Sequence, residues 1–134
     1  MRKIFPFLAL IAATASANGQ TASDRADIRY IFFDWGKTEV TRDGSALLDQ
    51  LSSSFQPGQS VRLTGYSDRS GPAASNLRTS RIRAEAVRDY LVGKGVPRGA
   101  ISVSGAGERD FLISTEDGVR EVQNRRVEIQ VVGP

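Results

Sequence analysis

The chain has 134 residues, enough for one ordinary domain and too few for two well-packed cores. It contains no cysteine and no histidine, which excludes a disulfide framework, zinc sites built on those ligands, Ser-His-Asp triads and Cys-His dyads. Eighteen Lys+Arg stand against 15 Asp+Glu for a net charge of +3, and no lysine-rich run marks a nucleic-acid surface, so nucleic acid is not an expected partner.

The amino terminus reads MRKIFPFLALIAATASAN. Arg2 and Lys3 precede an apolar run from Ile4 to about Ala13, and Ala15-Ser16-Ala17 supplies small residues at cleavage spacing. The pattern predicts a secretory signal peptide over 1–17. Its apolar run is well short of the roughly 20 residues a membrane span needs, and Pro6 interrupts it. Removal takes away Arg2 and Lys3 and no acidic residue, leaving 16 basic against 15 acidic side chains. The exported form is then close to neutral, has no membrane span, and offers no cysteine for a lipid anchor.

Residues 18–27 are polar and aperiodic, as a leader segment would be. The domain is expected over 28–132. "IRYIFFDW" is rich in β-branched and aromatic residues and predicts a buried strand ending near Asp34. "TRDGSALLDQLSSSF" spaces Ala46, Leu47, Leu51 and Phe55 helically, with Thr41 or Asp43 as N-cap and Pro57-Gly58 as the stop. "SVRLTGYSD" alternates Val61, Leu63 and Gly65 with Arg62, Thr64 and Tyr66, a period-two strand.

A second helix is predicted from about Ser75 to Val92, with Gly93 and Gly95 as C-cap residues. "AISVSGAGE" gives a third strand, 107–123 an irregular stretch with a helical turn around 118–123, and "RRVEIQVV" a last strand with Val127, Ile129 and Val131 on one face. The order β-α-β-α-β-β defines an α+β fold, a two-layer sandwich with a mixed sheet and both main helices on one face; crossover helices favour parallel pairings.

At 100° per residue the second helix divides into two arcs. Arg78, Arg81, Glu85, Arg88 and Asp89 share the solvent arc, with Arg81 and Glu85 at i,i+4 spacing. Leu77, Ser80, Ala84, Val87 and Leu91 form the opposite arc, and Arg83 falls on it, with Asn76 beside it. An arginine against apolar surface keeps its charge and needs an anionic partner for its fork of donors. Asp68, at the end of the second strand, is the nearest candidate. One reading is a structural Asp68–Arg83 ion pair that fixes the loop. The other is a shallow pocket in which the Asp68 carboxylate takes an ammonium and the Arg83 guanidinium a carboxylate, as an amino-acid headgroup offers; Asn76 would orient either end.

These residues lie in "GYSDRSGPAASNLRTSRIRAEAV". Together with "YIFFDWGKTEVT" upstream and "GAGERD" and "TEDGVREVQNRRVEIQV" downstream, the chain resembles, over about 28–132, the peptidoglycan-binding domain of outer-membrane protein A, the peptidoglycan-associated lipoprotein and flagellar stator proteins. The resemblance implies that Asp68 and Arg83 hold the diaminopimelate of a cell-wall stem peptide. It assigns Asn76 to the family's loop asparagine and Asp34 to the aspartate after its first strand. Ser67 takes the place of a threonine whose hydroxyl it keeps, and Arg125 and Arg126 match an arginine pair of which one lies near the site; which one stays open. Tyr66 replaces a histidine, and Thr79-Ser80 replaces Leu-Ser.

Gly105, Gly107 and Glu108 lack the lysine and helix N-terminus of a phosphate loop and read as strand-end turn chemistry. Asp24, Asp27 and the Asp68 loop follow no calcium-loop spacing, so neither metal nor cofactor is expected. Trp35 either flanks the pocket or packs over the first helix. The resemblance implies a non-catalytic periplasmic module that binds peptidoglycan, associated with the outer membrane or wall. The alternative is an envelope protein-protein interaction module with weak or lost wall binding. A carboxylate glycosidase would need Asp34 and Asp68 across one cleft, roughly 5 to 9.5 Å apart.

Overall fold

The structure, a computed structural model, describes residues 27–134. The predicted signal peptide, and the leader up to residue 26, lie outside the described residues. The elements are β1 (Ile28–Phe32), α1 (Arg42–Ser54), β2 (Ser60–Tyr66), α2 (Ala73–Gly93), β3 (Ile101–Gly107) and β4 (Arg126–Val132), with short 3-10 turns at Arg98–Ala100 and Val122–Asn124. The predicted helical turn thus forms at the far end of its window. No helix among the described residues is long and apolar enough to cross a membrane.

The four strands form one sheet in the order β1-β4-β2-β3, with β1 and β2 antiparallel to β4 and β2 parallel to β3. The parallel pairing expected of a crossover is therefore realised directly between β2 and β3 only. β1 runs parallel to β2, but β4 is inserted between them: Val127 faces Ile31 on one side and Gly65 on the other. The last strand takes this central place because Val127 and Ile129 bury completely on the helical face. There they join Ile31, Val61 and Leu63 of the sheet, Leu48 and Leu51 of α1, and Ala84, Val87 and Leu91 of α2 in a single core. This is the α+β mixed-sheet sandwich that the pattern predicts.

Thr41, not Asp43, caps α1: its Oγ1 accepts from the Gly44 amide at 3.1 Å. α2 ends where Gly95 adopts φ +101° and the Val96 amide returns to the Leu91 carbonyl at 3.0 Å, a turn that favours glycine. On the solvent arc, Arg81 and Glu85 pair at 3.0 Å as their spacing predicts.

Leu77 corrects the helical projection. It is 51% exposed although it belongs to the apolar arc. The first turns of α2 meet the sheet through main chain: a Cβ on Gly65 would lie 1.8 Å from the Ser80 carbonyl oxygen, and one on Gly107 would lie 3.3 Å from the Leu77 Cα. Glycine at these points lets the helix close on the strand ends, which leaves the Leu77 side chain outside the contact. Ser80 completes the seal by accepting from the Gly107 amide at 3.0 Å. The same close approach sets Arg83, one turn further along, against the ends of β1 and β2.

Candidate ligand-binding site

A cavity of about 150 Å³ opens where the end of β2, the loop after β1, the start of α2 and the segment before β4 converge. Trp35, Ser67, Asp68, Thr79, Arg83 and Arg125 line it. A larger hollow of about 960 Å³ lies between β1 and α1, but none of the predicted site residues enters it.

Asp68 is almost completely buried and follows directly on β2. Its Oδ1 accepts from the Ser70 amide at 3.1 Å and the Ser70 hydroxyl at 2.6 Å. Its Oδ2 accepts from the Glu121 amide at 3.0 Å and Arg125 Nη1 at 2.8 Å. Burial alone would raise the carboxyl pKa, but these donors outweigh it and hold Asp68 below the usual carboxylate range.

Arg125 donates from Nε to the Phe33 carbonyl at 3.0 Å, while the Phe33 amide donates to the Arg125 carbonyl at 2.9 Å. The residue thus ties the end of β1 to the Asp68 carboxylate.

Arg83 is 2% exposed. The direct Asp68–Arg83 ion pair expected under one reading does not form. Arg83 Nε donates to the Lys37 carbonyl at 2.9 Å and Nη2 to the Asp34 carbonyl at 3.4 Å, and its guanidinium lies 5.4 Å from the centre of the Phe33 ring. Arg125, two residues before Val127, bonds Asp68 in its place. Burial and, after it, the neighbouring Arg125 charge push the Arg83 pKa down to about 10, against the opposing pull of Asp68. Arg83 remains charged at neutral pH, with no carboxylate of the protein in contact with it among the described residues.

The remaining predicted residues separate. Ser67 lines the cavity, and its buried Oγ has no partner among the described residues. Asn76 also lines the cavity and braces its wall: its Nδ2 donates to the Ser70 carbonyl at 2.9 Å and to Glu108 Oε1 at 2.7 Å. Asp34 contributes its carbonyl to Arg83, but the residue lines a different hollow, with Phe32, Thr41 and Arg42.

Arg126 leaves the site. Consecutive strand residues point to opposite faces, so Arg126 stacks on Tyr66 at 4.0 Å from the ring centre, donates to the Asp110 carbonyl at 2.7 Å and pairs with Glu128 at 3.3 Å. Arg125 is therefore the member of the pair at the cavity. Burial, followed by the Glu128 charge and hydrogen bond, pushes the Tyr66 phenol up to about 12, so it stays neutral there.

Trp35 flanks the pocket instead of packing over α1. Its Nε1 donates to the Ser70 hydroxyl at 3.1 Å, which continues to Asp68. Sequence reasoning did not place Thr79 in the wall, nor Arg69, which anchors the segment before β4. Arg69 donates to the Thr115 carbonyl at 2.9 Å, pairs with Asp117, and accepts from the Gly118 amide at 2.8 Å. A lone arginine in a polar loop carries no periodic signal. The departure of Thr79 from the family's leucine was the one visible mark of its position.

The cavity thus presents a held-ionised carboxylate, a buried guanidinium and an unpartnered hydroxyl. Asp34 and Asp68 line separate hollows, and a carboxylate held below its usual range is a poor general acid. Among the described residues no group of three or more acidic side chains is gathered to hold a metal.

Fold and site define a small α+β module with a charged recognition pocket. The OmpA family matches residues 32–125, and the chain belongs to that family. Outer membrane protein A of Shimwellia blattae is 39% identical over 116 residues, covering 77% of this chain and 48% of the relative. An outer membrane protein of Gluconacetobacter diazotrophicus is 36% identical over 107 residues, covering 74% and 28%. The chain spans about half or less of the length of these relatives. Among solved structures, the peptidoglycan-associated lipoprotein from Burkholderia pseudomallei superposes with a TM-score of 0.72 at 27% identity, over 78% of this chain and 90% of that one. The C-terminal domain of Helicobacter pylori MotB shares the fold, with a TM-score of 0.68 at 17% identity over 79% and 85%.

Proposed function

We propose that the protein binds cell-wall peptidoglycan non-covalently in the periplasm, through the diaminopimelate of the stem peptide, as a module without catalytic activity. Residues 28–132 form the binding unit, exported by a signal segment at 1–17. The observation that carries this reading is the pairing of opposite charges across one small cavity: Asp68 fixed as a carboxylate, and Arg83 buried with its charge unneutralised by direct contact. Diaminopimelate carries an amino-acid headgroup at the end of its side chain, with an ammonium for Asp68 and a carboxylate for Arg83. The Ser67 hydroxyl is free to bond either group. Membership of the OmpA family and the likeness to a peptidoglycan-associated lipoprotein point the same way.

The test is co-sedimentation of the purified protein with diaminopimelate-type cell wall, beside Asp68→Ala and Arg83→Ala variants whose folding is checked by circular dichroism. The wild type is expected to pellet with the wall and the folded variants to stay in solution. A wild type that stays in solution would overturn the reading in favour of an envelope-protein partner.

A further inference from the structure

One cation beside the cavity has no part in the grip described above. Arg120 lays its guanidinium 3.4 Å from the centre of the Trp35 ring, the separation of two stacked planes. It is exposed, and no carboxylate pairs with it among the described residues. Its platform is fixed to the site, because Trp35 lines the cavity and hangs from Ser70, which hangs from Asp68. Its main chain is fixed there too: the next residue, Glu121, donates its amide to Asp68 Oδ2 at 3.0 Å. Arg120 is thus anchored at both ends to the groups that build the pocket.

A stacked guanidinium offers the in-plane edge of its fork to a planar anion and loses little rotamer freedom on binding one. We infer that Arg120 on Trp35 is a second anion subsite at the rim of the pocket, taking a carboxylate borne by the residue next to the headgroup in the bound peptide. The inference rests on the peptide-binding reading above. In a stem peptide two sources present such a group: the glutamyl residue before the diaminopimelate, and a terminal alanine after it.

The test is calorimetric titration with two probe pairs, L-alanyl-γ-D-glutamyl-diaminopimelate with the glutamyl carboxylate free or amidated, and the same peptide extended by D-alanine with its terminal carboxylate free or amidated. The wild type is expected to favour the free acid by about five- to tenfold in one of the two pairs, as a partly screened charge-assisted contact allows. That pair identifies the source. Arg120→Gln, checked by circular dichroism, is expected to level the pair while still binding the amidated member. Trp35→Leu, which keeps the arginine but removes its platform, should narrow the preference.

Equal binding of free and amidated peptides by the wild type, with Arg83→Ala still abolishing both, overturns the Arg120 subsite alone, as does a preference that survives in Arg120→Gln. Failure of every peptide to bind the wild type overturns the inference together with the reading on which it rests.

Discussion

Asp68 and Arg83 face one cavity without bonding to each other: the carboxylate closes on Arg125 at 2.8 Å, and the guanidinium reaches the main-chain carbonyls of Lys37 and Asp34. The two charges that a ligand would bridge are thus supported independently. Removing one does not orphan the other. Arg83→Ala is expected to fold, losing on the order of 1 to 3 kcal/mol for two carbonyls left without their donor, and to lose wall binding altogether. Denaturant unfolding beside co-sedimentation checks both halves; a folded variant that still pellets would remove Arg83 from the site.

The two consecutive arginines before and within β4 should behave differently. Arg125→Ala strands the Asp68 carboxylate in a buried site and is expected to cost about 3 to 5 kcal/mol. Arg126→Ala acts on the opposite face, where it frees Glu128 and the Asp110 carbonyl. It should lower stability by about 1 to 3 kcal/mol yet leave wall binding intact wherever the protein remains folded. Loss of binding in folded Arg126→Ala would contradict the division of faces.

The acid limb of stability belongs in part to Asp68. Its folded pKa lies below the ordinary 3.8, so the unfolded chain takes up the proton first as pH falls. The contribution of Asp68 is full above about pH 4 and disappears as pH drops through the folded value. Because the folded carboxyl stays ionised below the ordinary 3.8, wall binding should persist through that value and fail only as pH drops through the lower folded one. Asp68→Asn is expected to be less stable at neutral pH, with a flatter fall in stability between about pH 5 and pH 3 than the wild type. Unfolding curves across that range decide it.

Gly65→Ala tests the contact that sets the site's geometry. The added methyl would lie 1.8 Å from the Ser80 carbonyl, so α2 must move away from the sheet. A loss of at least about 3 kcal/mol is expected, together with weakened binding because Arg83 retreats with the helix. A variant within about 1 kcal/mol of wild type would show that α2 shifts more easily than this packing implies.

The six regular elements and the inward turn of Arg83 were legible in the sequence, because period-two alternation, helical spacing and capping residues are local properties of neighbouring residues. So was the grouping of Asp68, Arg83 and Asn76, which the family's motif spacing brings together. Partner choice was not. The distance from Asp68 to Arg125 spans 57 positions along the chain, and it is settled by β4 entering the centre of the sheet, which places Arg125 against Asp68 and sends Arg126 to the opposite face. Leu77 departs from the helical projection for a related reason. A helical projection assigns burial by angle alone, whereas the glycines at 65 and 107 bring main chain against main chain and leave that side chain outside. Local pattern determined which elements form and which charge turns inward; the long-range pairing of strands determined which charges meet, because only the assembled sheet fixes distances between residues so far apart in the chain.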